Sequence, residues 1–239
     1  MPRCWIALGG NVGDVAAAMS AAMSALAAAG VEVVCCSGLY DTTPVGSAAG
    51  ARYLNAAAEL QTGPSPEELL DLLQRLEAEA GRVRTERWGP RPLDLDILLY
   101  ADRKLSTPRL TIPHPALWYR RFVLDPLAEI ADAVEHLDFG MTIGELRERL
   151  LVRPLPVAIQ LPVASATPLA ETLIRRFGAR IAVTASTTDA AIVLAGHHTQ
   201  VGRKTPATPF TLNLPAAAER EEFAINVLTA ALDEPQRLD

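Results

Sequence analysis

The residues best placed to do chemistry lie in the stretch RTERWGPRPLDLDILLY, at 84–100. Arginines cluster in this stretch and just before it, and two aspartates follow inside an apolar run: Arg82, Arg84, Arg87, Arg91, Asp94 and Asp96. Guanidinium groups pair with phosphate oxygens in bidentate fashion, whereas adjacent carboxylates attract a cation, and oxygen ligands suit Mg²⁺. A cluster that carries both charges is typical of a site for a metal–phosphate complex.

Both aspartates are expected on one face of a strand, because successive strand residues point to opposite faces. Leu95 and Ile97 would then point into the core. Two other interpretations of these residues are open. The aspartates could lie on a solvated strand face, and the arginines could form surface ion pairs with nearby glutamates. For Arg87 we favour the ion pair.

The elements that must position these residues occur in the order β-α-β-β-α-β. Apolar or β-branched runs predict strands at 4–10, 31–40, 53–62 and 93–100. Asp14 is a predicted cap for a helix at 15–29, and Ser65 with Glu68 forms a capping-box pattern for a second helix that ends at Gly81. This order predicts an α+β protein with a ferredoxin-like βαββαβ core, an antiparallel sheet with both helices on one face.

Composition and charge exclude several classes of protein. The formal charge is -6 and the pI is about 5.3, so the chain as a whole is not built to attract nucleic acid. No uninterrupted apolar run reaches the ~20 residues of a membrane helix, and the start of the chain lacks a secretory pattern. The three cysteines have no metal-site spacing and indicate reduced thiols. We expect a cytoplasmic protein without membrane or nucleic-acid partners.

The sequence changes character after residue 150. Residues 152–171 are rich in proline and poor in charge, which predicts a linker or a poorly paired edge strand. Later patterns predict a second, smaller α/β unit, with a helix at 168–177, strands at 180–186 and 191–196, a hairpin-like stretch at 199–214 and a helix at 215–232. We therefore expect domains at 1–154 and 155–239.

The stretch RWGPRPLDLDILLY resembles the signature of the 6-hydroxymethyl-7,8-dihydropterin pyrophosphokinases of folate synthesis. Further stretches match the same family in order and spacing: LGGNVGD (8–14), LYDTTPVG (39–46), YLNAA (53–57), QRLEAEAGRVR (74–84) and RLTIPHP (109–115). They cover about residues 4 to 150, and together they are far more specific than any single motif. The resemblance implies Mg²⁺-dependent transfer of the β,γ-pyrophosphoryl group of ATP to the pterin hydroxymethyl, with release of AMP.

The resemblance also implies roles for individual residues. Asp94 and Asp96 match the ligands of a pair of Mg²⁺ ions that bridge the ATP phosphates. Residues that match the groups neutralising or contacting phosphate are Arg82, Arg84, Arg91, Arg120 and His114. Residues that match the lining of the nucleotide site are Gln74, Glu77, Trp88, Ile97, Arg109 and Thr111. For Ile97 a core role fits equally well, and His114 alone would be taken for a loop histidine without a ligand.

A pterin is flat, aromatic and rich in amide-like donors and acceptors, so it suits an aromatic sandwich and an asparagine partner. Tyr53, Phe122 and Asn55 match the family residues with those roles. The loop over the pterin edge matches at Thr42, Pro44 and Val45. For the two aromatic residues the alternative is ordinary core packing.

The chain departs from the family pattern in places. The loop RTER is one residue shorter than in many members, so a lysine contact to phosphate is missing or moved. Arg121 stands where many members have glycine, which could stiffen a closing loop.

Two other functions remain open beside the active enzyme. One is a catalytically silent nucleotide or pterin binder, and the other is a bifunctional protein with a second activity in residues 155–239. We favour a structural or oligomer-forming role for that extension, because adjacent strand residues such as His197 and His198 point to opposite faces and do not suit a shared metal. Full activity after truncation near residue 155 would support this view.

Overall fold

The structure is a computed structural model that describes residues 1–46, 51–81, 91–196 and 210–238. Its helices are α1 (Val15–Ala28), α2 (Pro66–Glu79), α3 (Arg121–Ala131), α4 (Ile143–Leu151), α5 (Val163–Phe177) and α6 (Arg220–Ala231). Its strands are β1 (Arg3–Gly10), β2 (Glu32–Cys36), β3 (Tyr40–Thr42), β4 (Tyr53–Gln61), β5 (Asp94–Tyr100), β6 (Leu105–Ser106), β7 (Thr111–Ile112), β8 (Glu135–His136), β9 (Met141–Thr142), β10 (Leu155–Gln160), β11 (Ile181–Thr184), β12 (Ile192–Ala195), β13 (Thr211–Asn213) and β14 (Gln236–Arg237).

The described chain divides into two compact units, one from residues 1–147 with 233–238 and the other from 148–232. The predicted boundary at residue 154 differs from this division in two respects. The first unit ends within α4, and the last residues of the chain return to it. They return because β14 pairs with β3, a contact that no local sequence pattern announces.

The first unit is a mixed α and β structure built on an antiparallel sheet. β14, β3, β4, β1 and β5 lie side by side in that order, and β2 also pairs with β4. The sheet has two different faces because strand residues alternate. Ile6, Leu8, Leu95 and Ile97 belong to a buried cluster that also contains side chains of α1 and α2. The alternate residues of β1 and β5, which include Asp94 and Asp96, therefore lie on the other face.

Local signals set the predicted helices. The Asp14 side chain accepts a hydrogen bond from the Ala17 amide at 3.0 Å, and α1 begins at the next residue. Ser65 and Glu68 form the expected capping box, with Pro66 in the first turn. Every third or fourth residue of α2 is an apolar side chain that reaches the core, among them Leu69 and Leu73, each 0% exposed.

The predicted strand at 31–40 is instead two short strands, β2 and β3. The chain leaves regular pairing between them, because the Ser37 hydroxyl accepts a hydrogen bond from the Ala57 amide at 2.9 Å. Both short strands still pair with β4. The interruption gives β3 a register of its own, with Thr42 opposite Tyr53 and Tyr40 opposite Asn55.

The second unit holds a four-stranded sheet in the order β11-β10-β12-β13, with every pair parallel. The prediction of a linker or edge strand at 152–171 was wrong: it contains β10, which is paired on both sides, and the first part of α5. Leu155 and Val157 are fully buried, so apolar burial outweighs the proline content. β13, at the end of the predicted hairpin-like stretch, pairs in parallel with β12, and the rest of that stretch lies outside the described part of the chain.

Two further expectations concerned membrane helices and the state of the cysteines. None of the described helices is long and apolar enough to cross a membrane. Cys4, Cys35 and Cys36 carry free thiols, as their spacing indicated.

Candidate active site

A pocket of about 620 Å³, including solvent at its mouth, lies on the sheet face that carries Asp94 and Asp96. The sequence-predicted residues that line it are Thr42, Val45, Tyr53, Asn55, Arg91, Asp94, Asp96, Arg120 and Phe122. Residues predicted for the metal, the phosphates and the pterin thus meet around one space. Ala7, Leu8, Gly9, Thr43 and Val123 complete its lining.

The two aspartates are held by the pairing of β5 with β1. Asp94 lies opposite Gly9 and Asp96 lies opposite Ala7, so small residues face both carboxylates. A β-carbon at position 9 would lie 2.9 Å from the Asn55 Oδ1 atom, so a side chain there would have to displace the Asn55 amide. Glycine therefore lets the Asn55 amide approach the strand that carries Asp94.

Arg91 is tied to the site at both its side chain and its backbone. Its Nη1 atom lies 2.7 Å from the Asp94 Oδ2 atom. The backbone amide of Arg91 donates to the Asn11 Oδ1 atom at 2.9 Å. The backbone amide of Asn11 donates to the Arg91 carbonyl, also at 2.9 Å. Asn11 thus fixes the backbone of Arg91, a function that the sequence did not predict although LGGNVGD was singled out as a motif.

Glu77 lies beneath the aspartates and not in the pocket lining. It is 3% exposed, and its Oε1 atom accepts a hydrogen bond from the Leu95 amide at 2.8 Å. Leu95 stands between Asp94 and Asp96, so this contact anchors β5, which carries both aspartates, to α2. In this structure Glu77 has the geometry of a positioning residue.

Glu77→Ala is expected to destabilise the first unit by about 2 kcal/mol, because it leaves the buried Leu95 amide without its acceptor. Glu77→Gln retains a carbonyl oxygen and should cost less than half as much. Urea unfolding of both variants against the wild-type chain would measure the difference. Equal midpoints for the alanine and glutamine variants would contradict the assigned contact.

His114 is docked next to the same strand. Its amide donates to the Leu98 carbonyl at 2.9 Å, and its Nδ1 atom accepts from the Ala116 amide at 3.2 Å. Burial, and to a smaller extent the positive charge of Arg120, lower the pKa of His114 to about 3, while the Asp94 carboxylate acts in the opposite direction. The neutral ring then carries its proton on Nε2, which leaves an N–H donor that suits a phosphate oxygen.

The depressed pKa of His114 predicts a pH dependence of stability. The unfolded chain binds a proton near pH 6.5 and the folded chain does so only near pH 3, so stability is complete above 6.5 and falls as the pH drops toward 3. His114→Asn keeps an acceptor for the Ala116 amide and removes the titration. Urea midpoints at pH 7.5 and 5 should therefore differ less in this variant than in the wild type. An unchanged difference would contradict the prediction.

The predicted pterin side of the pocket is a short hydrogen-bonded chain of side chains. The Asn55 Nδ2 atom donates to the Thr42 hydroxyl at 2.7 Å, and that hydroxyl donates to the Tyr53 carbonyl at 3.4 Å. Thr42 is 1% exposed and Asn55 is 8% exposed. The amide of Asn55 is thereby held in one orientation, with its oxygen toward Gly9.

Helix α3 and the residue before it supply another part of the lining. Arg120 precedes its first turn, and its guanidinium lies over the Phe122 ring, 5.6 Å from the centroid. Arg121, the residue at the family's glycine position, is 5% exposed and forms a bidentate ion pair with Asp125 at 2.6 and 2.7 Å. This pair lies within the first turns of α3, so Arg121 braces the helix that carries Phe122.

Other sequence-predicted residues do not line the pocket. Ile97 is 2% exposed within the core, Gln74 is half-buried on α2, and Thr111 is exposed on β7. Arg109 pairs with Asp71 on the surface, and Pro44 lies between the lining residues Thr43 and Val45. Arg82, Arg84 and Trp88, together with Arg87, lie outside the described residues.

The described residues contain no group of three or more His, Cys, Asp or Glu side chains that could hold a metal. Among the described residues, therefore, no third side chain of these types joins Asp94 and Asp96. Such a pair suits Mg²⁺, which keeps several waters and is bound by one or two carboxylates together with substrate phosphates.

Comparison with known proteins identifies the family. The model of the family described as 7,8-dihydro-6-hydroxymethylpterin-pyrophosphokinase (HPPK) matches residues 5–132. A 2-amino-4-hydroxy-6-hydroxymethyldihydropteridine pyrophosphokinase of Synechocystis sp. is 45% identical over 146 residues, which are 61% of this chain and 74% of that protein. Its namesake in Bacillus subtilis is 47% identical over 132 residues, 55% of this chain and 79% of that protein. The chain belongs to the HPPK family.

The match to the HPPK family lies within the first unit and ends one residue after α3. Residues 148–232 lie outside it. A crystal structure of Plasmodium falciparum HPPK-DHPS aligns with a TM-score of 0.48 at 12% identity, and it covers 84% of this chain and 55% of that one.

Proposed function

We propose that this HPPK-family enzyme transfers pyrophosphate from ATP to 6-hydroxymethyl-7,8-dihydropterin in folate biosynthesis, giving the pterin diphosphate and AMP. The observation that carries the proposal is the pocket in which Asp94, Asp96 and Arg91 meet Asn55 and Phe122. One side of this space has the charges that a metal–phosphate complex needs, and the other has the amide and ring that a pterin needs.

Asp94 and Asp96 would hold Mg²⁺ on the strand face above the pocket floor. When bound, Mg²⁺ neutralises phosphate charge and orients the phosphate oxygens. Both carboxylates belong to one rigid strand, so their separation is fixed by the pleat and not by loop conformation. A pair of ions, as the family resemblance implies, would require phosphate oxygens to complete both coordination shells.

Arg91, Arg120 and His114 would act on the phosphates. Arg91 already lies 2.7 Å from Asp94, so it can contact a phosphate that is bound to the same metal. His114 would donate from Nε2. Arg82 and Arg84 remain predictions for the same function, and Gln74, Trp88, Arg109 and Thr111 remain predictions for the nucleotide. For Glu77 and Ile97 we favour positioning and core packing.

Asn55, Thr42 and the backbone at 43–45 would recognise the pterin edge, while Tyr53 and Phe122 would contact its ring faces. The Asn55–Thr42 hydrogen bond supports this assignment, because it orients the amide before any ligand binds. Preorganised partners reduce the entropy lost on binding.

The reaction then needs little covalent chemistry from the protein. The pterin hydroxyl oxygen forms a bond to the β-phosphorus, the bond from that phosphorus to the oxygen bridging the α-phosphorus breaks, and AMP leaves with that oxygen. The hydroxyl proton is released. The side chains hold both substrates in line and stabilise the negative charge of the moving group.

We also propose that the first unit is a ferredoxin-like βαββαβ fold extended at one edge by β3 and β14. The pairing order β2-β4-β1-β5, with α1 and α2 sharing one apolar cluster, supports this assignment. Assembly of the chain through residues 155–239 remains a prediction, which sedimentation velocity of the full chain would test.

AMP formation from Mg²⁺-ATP, measured with and without the reduced hydroxymethylpterin, tests the proposed function. We expect AMP to form only when both substrates are present. Binding of both ligands without AMP would instead support a silent binding module. AMP formation without pterin would indicate a different acceptor.

A further inference from the structure

The last residues of the chain form part of the sheet that carries the predicted pterin loop. Gln236 pairs with Asp41 and Arg237 pairs with Tyr40, so β14 lies along β3. The Leu238 amide adds a hydrogen bond to the Leu39 carbonyl at 2.8 Å. β3 therefore has a neighbour on each side, β4 and β14, and is not an edge strand.

Asp233 extends this contact to the pocket wall. It is 3% exposed, and its Oδ1 atom accepts a hydrogen bond from the Thr43 amide at 3.2 Å. Thr43 directly follows β3 and lines the pocket next to Thr42 and Val45. Burial raises the pKa of Asp233, so a carboxylate here is costly to keep, and hydrogen bonds from Thr43 oppose that cost.

The same C-terminal tail, residues 233–238, also contacts α3. Glu129 accepts from the Arg237 Nε atom at 2.6 Å through one oxygen and from the Gly38 amide at 2.6 Å through the other. Glu129 belongs to the helix that carries Phe122, and Gly38 precedes β3. The tail thereby joins both elements that form the predicted pterin side of the pocket.

We propose that Asp233 is a positioning residue for the pterin, and that Asp233 with β14 holds the backbone of 42–45 in its ligand-ready conformation. This inference rests on the proposed function and deepens it. The segment lies about a hundred residues beyond the end of the family match at residue 132, so the match does not include it. A chain that ends near residue 155 lacks it, and we expect reduced activity after that truncation.

The test uses the full-length chain with Asp233→Ala, Asp233→Asn and Arg237→Ala. Asp233→Ala should raise the KM for the pterin about tenfold, since a charge-assisted hydrogen bond to the binding wall is lost. The KM for ATP should change less than twofold. Asp233→Asn retains an acceptor oxygen and should recover most of the loss, a rescue that a general loss of stability would not give. Glu171→Ala, an exposed carboxylate on α5, is the matched control.

An unchanged pterin KM, or equal rises in both KM values, would overturn the inference. If Asp233→Ala does not fold, as thermal unfolding would reveal, Arg237→Ala serves in its place because that side chain is half exposed. If the wild type forms no AMP, the proposed function fails, and fluorescence titration of the pterin with α,β-methylene-ATP present still compares wild type with Asp233→Asn and Asp233→Ala. Equal dissociation constants there would overturn the positioning role separately.

Discussion

Replacing Asp96 by alanine is expected to lower kcat for AMP formation by about a thousandfold or more, because one of the two carboxylates proposed to bind the metal is lost where charge develops on the moving group. The fold should survive. Asp96 lies on the pocket side of β5, opposite Ala7, and not in the apolar cluster. Thermal unfolding within a few degrees of wild type would confirm that the loss is chemical.

Asp102→Ala provides the matched control for this experiment. Asp102 is an exposed carboxylate in the turn just after β5, so its removal changes the net charge equally without touching the pocket. Normal turnover in the control and a wild-type rate for Asp96→Ala would together reject the metal assignment. A rise in the Mg²⁺ concentration needed for half-maximal rate in Asp94→Asn would strengthen it.

Replacing Arg91 by alanine should lower kcat/KM by about a hundredfold to a thousandfold, because the guanidinium pairs with Asp94 and is proposed to contact the phosphates. Arg91→Lys should restore little of this activity, since a single ammonium cannot contact a carboxylate and a phosphate with the fixed fork of arginine. Initial rates at saturating and limiting ATP would separate binding from turnover.

The exposed Arg75 on α2 offers the control, as Arg75→Ala removes an arginine of the same unit far from the pocket lining. Asn11→Ala adds a graded test, because it loosens the Arg91 backbone and leaves the guanidinium in place. Its effect should be smaller than that of Arg91→Ala. A larger effect would mean that Asn11 acts on the substrate directly.

The sequence predicted those parts of the fold that local signals determine. Ser65 and Glu68 announced the start of α2, and the alternation of β5 correctly separated Asp94 and Asp96 from Leu95 and Ile97. These features depend on side chains only a few residues apart, for which spacing alone decides the geometry.

Contacts between distant residues were beyond such prediction. The break between β2 and β3 depends on Ser37 reaching Ala57, and the central place of β10 depends on strands that follow it. Asp233 reaches Thr43 across 190 positions. Likewise Glu77 fits a nucleotide-site motif, but only the folded chain places its carboxylate on the Leu95 amide.

The return of β14 to the first unit has a consequence for synthesis on the ribosome. The chain leaves this unit at residue 147 and rejoins it at 233. Until residues 236 and 237 emerge, β3 exposes one row of unpaired backbone groups. The first unit of a nascent chain is therefore completed only after the intervening parallel sheet has been made, and a product that stops before residue 233 would lack the contact that holds Thr43 in the pocket lining.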